Sequence, residues 1–170
     1  MAICPFAKWL PVKTNLVPIS GSPSGLVLHI SNDRRNSLEG LRATFENSNP
    51  FPSHFGITTS GAIGQFINTQ YHDWAEEWSI KYFSVECCAS PGDYLTYSQL
   101  GAVAQLYAWL HEEHKINIKL ATSTSDTGLS YHSMGKTKHT HCPGNAVVSQ
   151  REQIIELTNY IVTNKASPNF

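Results

Sequence analysis

Hydrophobic positions along the chain fall into blocks with two different rhythms. Leu26–Ser31 is an unbroken apolar run carrying one histidine, His29, as expected for a buried central strand. Lys81–Cys88 is a second strand block, rich in aromatic and β-branched residues. His54–Thr58 and Ile63–Asn68 flank Thr59-Ser60-Gly61 and predict a hairpin. Helical spacing takes over elsewhere. Asn36 is placed to cap a helix in which Leu38, Leu41 and Phe45 share a face, with Glu39 in its first turn. Thr96-Tyr97-Ser98-Gln99 has the form of a capping box, followed by Leu100, Val103, Tyr107 and Leu110. Ser149-Gln150-Arg151-Glu152 has the same form, followed by Ile154, Ile155, Thr158, Ile161 and Val162. Between the blocks, Asn47–Pro52 is rich in breakers, and Asp126–Gly144 is a long polar connection of the kind that often carries function. The pattern predicts one α/β domain, a central sheet with helices packed on it and a helix at the end. Residues 1–24, rich in Pro, Ser and Gly, read as an extended N-terminal segment, residues 25–165 as the domain, and 166–170 as a tail.

Composition narrows the partners more than the fold. At 170 residues the chain can bury roughly 70% of its extended surface. With 15% charged residues and a net charge of −1, no nucleic-acid or membrane partner held by bulk electrostatics is expected. Met1–Trp9 carries neither a basic start nor an apolar core of a signal peptide. The expectation is synthesis in the cytoplasm and, for any extracytoplasmic substrate, delivery outside the general secretory route. Cys87 and Cys88 are adjacent and point to opposite faces of a strand, so a disulfide framework is not expected. Cys4, Cys87 and Cys88 read as small buried hydrophobes.

The chemistry concentrates in Tyr131-His132-Ser133-Met134-Gly135 and His139-Thr140-His141-Cys142-Pro143-Gly144, read together with His29. An imidazole inside an apolar strand must be hydrogen-bonded or ligated, since desolvating it unpaired costs about 1–3 kcal/mol. Two imidazoles and a thiolate suit Zn²⁺ and leave a coordination position open for water. Zinc lowers the pKa of such a water from about 16 to about 7, which points to a hydrolase. His139 and His141 flank the thiol, and either is an alternative third ligand. Cys142 ranks first because the thiolate is the strongest zinc ligand on offer and Pro143-Gly144 fixes a turn behind it. Glu86, inside a strand block, is either a proton shuttle beside the metal or an edge residue facing solvent. His111-Glu112-Glu113-His114 has the wrong spacing for a zinc helix and reads as a solvated helix end. Gly21-Ser22-Pro23-Ser24-Gly25 has proline where a nucleophile elbow needs serine. His72-Asp73-Trp74-Ala75-Glu76-Glu77-Trp78 either lines a cleft or covers the sheet.

Taken in order, these residues resemble the zinc-dependent N-acetylmuramoyl-L-alanine amidases of the type 2 amidase and peptidoglycan-recognition-protein (PGRP) superfamily. The resemblance rests on the His29 strand, Ser53-His54-Phe55, Gly64-Gln65-Phe66, Phe83-Ser84-Val85-Glu86, His132 and Cys142-Pro143-Gly144, and spans Leu26 to Ile161. It implies a central mixed β-sheet flanked by helices, and zinc held by His29, His132 and Cys142. Glu86 falls at the position of the catalytic acid/base, and Thr140 at that of a residue stabilising the oxyanion. The tyrosine that some members carry beside the hairpin histidine is Ser53 here. The implied substrate is peptidoglycan, cut between N-acetylmuramic acid and L-alanine, in a phage endolysin, a secreted antibacterial effector with an immunity protein as partner, or a recycling enzyme. Two rival readings remain at this point: a cysteine peptidase of stem peptides using Cys87, Cys88 or Cys142, and a peptidoglycan-binding module without catalysis.

Overall fold

The computed structural model describes residues 2–32, 36–47, 51–75, 78, 80–135 and 141–164. In chain order its elements are β1 (Lys8–Trp9), β2 (Val17–Pro18), β3 (Gly25–Ile30), α1 (Leu38–Asn47), β4 (Phe55–Ile57), β5 (Ile63–Gln65), β6 (Tyr71–His72), β7 (Tyr82–Cys87), α2 (Tyr97–His114), β8 (Gly128–Tyr131), a 3₁₀ turn at His132–Met134, α3 (Gly144–Ser149) and α4 (Arg151–Asn164). The main sheet has the order β1-β5-β4-β7-β3-β8, and β2 pairs with β6 in a separate ribbon. β3 runs parallel to β7 and β8, and β4 runs parallel to β7 but antiparallel to β5, so the sheet is mixed. All of β3 is buried, which explains its unbroken apolar run.

Alternation along the strands sorts the sheet into two faces. Leu28 and Ile30 of β3 and Phe83, Val85 and Cys87 of β7 pack with Val103, Leu106, Tyr107 and Leu110 of α2 and Ile154 of α4. Burial of each large side chain there contributes about 1.5–3 kcal/mol. The opposite face is covered in part by α1, whose Leu41 and Phe45 meet Phe66, Ile67 and Cys88. His29 and Glu86 belong to this second face and are register partners across β3 and β7. Because β3, β7 and β8 are parallel, their C-terminal ends share one edge, where open sheets gather their ligands. His29 and Glu86 lie one residue from the ends of their strands, and His132 directly follows β8.

Several local expectations meet a different outcome. The cap of α1 is Ser37, whose Oγ accepts from Gly40 N at 3.0 Å, while Asn36 accepts from Thr59 N instead. The Thr96–Gln99 capping box forms with both of its hydrogen bonds. The one drawn at Ser149 does not: Ser149 is the last residue of α3, its Oγ donating to Ala146 O. Gln150 is occupied elsewhere, holding both backbone groups of Leu95 with its amide. The polar connection Asp126–Gly144 contains an edge strand, β8, and the N-terminal segment contributes β1 and β2. β8 can start beside β3 only because Gly25 and Gly128 meet; a Cβ on Gly25 would lie 1.9 Å from the Gly128 carbonyl oxygen. The helix end at His111–His114 is not fully solvated. His111 Nδ1 lies 2.7 Å from Ile116 O, and His114 packs against Phe83 with ring centroids 4.8 Å apart.

Candidate metal centre

Three segments deliver the donors to the open edge of the sheet. β3 presents His29, the 3₁₀ turn after β8 presents His132, and the residue two before α3 presents Cys142. The ligand atoms of these three residues all lie within 4.8 Å of one another, the one such group of three or more metal-ligating side chains among the described residues. The imidazole centroids of His29 and His132 are 4.4 Å apart, and Cys142 Sγ is 3.7 Å from His29 Nδ1. The backbone pins the thiol from two sides. Ile30 N donates to Cys142 Sγ at 3.5 Å, and Ser133 N donates to Cys142 O at 3.0 Å, tying the cysteine to the turn that holds His132. Trp78 steadies the same turn, its indole lying where a Cβ on Gly135 would come within 2.1 Å.

Two imidazoles and a thiol fit zinc in number, type and spacing. Bonds of about 2.0–2.3 Å at tetrahedral angles separate ligand atoms by about 3.3–3.8 Å, so the donors need close by only about an ångström. The electrostatics ask for a cation. Burial, reinforced by the negative charge of Glu86, pushes the Cys142 thiol up to about 12, with the Ile30 N–H only partly offsetting it. A thiolate at neutral pH there requires positive charge alongside.

Glu86 sits half-buried on the wall of the cavity that His29, His132 and Cys142 line, a space of about 350 Å³ also bounded by Asn32, Phe51 and Trp74. Burial pushes its carboxyl up to about 7; the charge of Asp73 adds to the rise, and a hydrogen bond from Ser53 Oγ at 3.2 Å opposes it. A carboxyl near 7 both accepts and releases protons at working pH. The solvent-facing edge reading of Glu86 therefore gives way to a position over the metal donors, in the middle of the sheet. Of the remaining candidates, His141 is exposed and outside the donor group. Thr140 and His139 lie outside the described residues.

Sequence reasoning left His54 and Trp74 without a role. His54 is wholly buried, its Nδ1 2.6 Å from Asp73 Oδ2 and its Nε2 2.8 Å from Tyr71 O. Burial acts to raise the Asp73 carboxyl, but His54, by charge and hydrogen bond, and the Ser84 hydroxyl outweigh it and hold it below the usual range. The acidic-aromatic stretch thus divides, with Asp73 in the interior and Trp74 on the cavity wall.

Neither Cys87 nor Cys142 is an activated nucleophile, and Cys88 is buried in the apolar cluster under α1. Cys4, Cys87, Cys88 and Cys142 are all free thiols. Cys87 lies in the core on the α2 face, and its thiol is pushed well up by burial. With Cys142 raised as well, the peptidase reading lacks the lowered thiol it needs.

Comparison with known sequences agrees with this chemistry. The sequence profile of the family described as N-acetylmuramoyl-L-alanine amidase matches residues 20–145. The chain belongs to this family. It is an enzyme of the N-acetylmuramoyl-L-alanine amidase class, and the matched stretch contains every candidate donor and Glu86. Comparison with curated protein sequences gives no match. Among solved structures, the hydrolase AmiA from Staphylococcus aureus is 15% identical with a TM-score of 0.70, over 98% of this chain and 89% of that one. The amidase LysC from Clostridium intestinale is 19% identical with a TM-score of 0.63, over 89% and 97%. Drosophila peptidoglycan recognition protein SA is 15% identical with a TM-score of 0.68, over 88% and 92%. At these identities the likeness is one of fold, and the fold is that of the type 2 amidases and PGRPs.

Proposed function

We propose that this amidase is a zinc hydrolase that cuts the amide between the lactyl group of N-acetylmuramic acid and L-alanine in peptidoglycan. The observation that carries the reading is the convergence of His29, His132 and Cys142 on one cavity whose wall carries Glu86, a carboxyl raised to about 7. His29, His132 and Cys142 would hold the ion. Bound there, zinc supplies Lewis acidity, polarising an amide carbonyl and making water nucleophilic near neutral pH. Glu86 takes a proton from the attacking water as its oxygen adds to the carbonyl carbon. It then gives that proton to the nitrogen as the C–N bond breaks, leaving a lactyl carboxylate and the free amino group of alanine. Trp74 and Phe51 form the outer wall, where they exclude water and contact the substrate.

Incubation with purified sacculi tests this directly. Zinc-loaded protein should release new L-alanine amino termini and lose that activity to a chelator. Intact sacculi in the presence of stoichiometric zinc would favour a binding module and defeat the reading. The biological setting that suits such a chemistry is wall lysis. We read the protein as a lytic amidase acting on cell-wall peptidoglycan, an endolysin or a secreted effector. A neighbouring holin gene supports the first, and a neighbouring gene for a small exported immunity protein the second.

A further inference from the structure

Next to Glu86, the residues just before β4, Ser84 of β7 and Asp73 after β6 form a group of buried polar side chains that the reaction itself does not use. Ser53 is wholly buried, and its Oγ donates to Glu86 Oε2 at 3.2 Å. The next residue, His54, faces the other way in function. Its Nδ1 meets Asp73 Oδ2 at 2.6 Å, its Nε2 meets the Tyr71 carbonyl at 2.8 Å, and its backbone N donates to Asp73 Oδ2 at 3.3 Å. Asp73 also receives the Ser84 hydroxyl, and its Oδ1 accepts from Ala75 N at 3.3 Å. Ala75 and Trp74 line the same cavity as Glu86.

We infer that Ser53-His54 is a two-headed brace, in which Ser53 aims the Glu86 carboxylate while His54, through Asp73, fixes the Trp74–Ala75 wall against which the substrate lies. The inference rests on the amidase reading and assigns both residues a positioning role. The physical grounds are rigidity and reach. The Glu86 carboxylate sits at the end of three side-chain torsions that can swing, and the buried Ser53 hydroxyl, just before the adjacent strand β4, fixes one oxygen. Residues 73–75 follow the short ribbon strand β6 and lie outside regular structure. They therefore have no sheet ladder to hold them, and the buried hydrogen bond between Asp73 and His54 takes its place. Because β4 is hydrogen-bonded to β7, the dipeptide just before β4 secures both the proton shuttle and the wall.

The two heads act on different kinetic constants, which a general loss of stability does not do. Using the zinc-loaded enzyme and a soluble muramyl peptide, Ser53→Ala should lower kcat by about tenfold or more and leave KM within about twofold, as for a lost hydrogen bond to a charged group that must be aimed in the transition state. Asp73→Asn should do the reverse, raising KM about tenfold at nearly constant kcat, with Ser84→Ala a milder version that does not alter buried charge. Zinc content should stay at the wild-type value in all three, read by metal analysis. Equal kcat and KM effects in Ser53→Ala and Asp73→Asn, or a kcat effect confined to Asp73→Asn, would overturn the brace. If Asp73→Asn does not fold, Ser84→Ala alone decides the wall arm: an unchanged KM refutes it. Should the wild-type protein bind zinc yet hydrolyse nothing, the amidase reading fails by itself. The brace is then judged by binding of the same muramyl peptide, which Asp73→Asn or Ser84→Ala must weaken and Ser53→Ala must not.

Discussion

Replacing Glu86 by Gln separates chemistry from stability, because the two respond in opposite directions. The carboxyl stands at about 7 in the folded protein, against an ordinary value of 4.5. Holding the ionised form in that place therefore costs about 3 kcal/mol. The sign follows from linkage. An acid whose folded value is raised contributes its full stability below the unfolded value, and that contribution is lost as pH rises from about 4.5 through about 7. Glutamine has nearly the same shape, can still meet Ser53 Oγ, and carries no charge. In metal-free protein, Glu86→Gln should be more stable than wild type at pH 8 by up to about 3 kcal/mol. For a chain of this size that is roughly 6–12 °C in melting temperature. The gain should vanish near pH 4, where both side chains are neutral. In zinc-loaded protein the same variant should lose hydrolysis by about 10²–10⁴-fold, the usual worth of a positioned acid/base, and keep its metal. Differential scanning calorimetry across pH and a sacculus-digestion assay read the two effects. A variant that is less stable at pH 8, or that turns over at the wild-type rate, would refute the assignment of a desolvated proton shuttle.

Other expectations concern the supports of the site. Gly135→Ala would set a Cβ within 2.1 Å of the Trp78 ring, so the turn that carries His132 must shift. Zinc affinity, measured by competition with a chelating dye, should fall by about tenfold or more, and an unchanged affinity would show that the turn is not braced there. Cys87→Ala removes a core thiol on the face of β7 opposite Glu86 and should lower stability by about 1 kcal/mol while leaving chelator-sensitive activity intact. Loss of activity in that variant with zinc still bound would revive the peptidase reading.

What could be read from the sequence was whatever has a strong local period or a distinctive chemistry. β3, β7 and α2 announce themselves through an apolar run, a β-branched block and a capped amphipathic face, and each forms within a residue or two of its expected bounds. The candidate donors stand out because histidine in an apolar strand and a thiol before Pro-Gly are uncommon choices that demand a reason. Features that depend on distant partners were hidden. β8 is four residues long inside a polar stretch, and its strand state comes from pairing with β3. Ser149-Gln150-Arg151-Glu152 satisfies a capping pattern, yet Gln150 is drawn to Leu95 and Ser149 completes the preceding helix. The pairing of His54 with Asp73 crosses 19 residues, and that of Ser53 with Glu86 crosses 33. No local pattern encodes such contacts, because the geometry that makes them is the sheet itself.

The proposed reaction depends on one zinc ion held by His29, His132 and Cys142. X-ray absorption at the zinc edge on loaded protein tests it most directly. The expected spectrum contains one sulfur shell at about 2.3 Å and nitrogen shells at about 2.0–2.1 Å from two imidazoles, with the sulfur shell gone in Cys142→Ser. A spectrum of nitrogen and oxygen alone in the unaltered protein, or one that Cys142→Ser leaves unchanged, would contradict it.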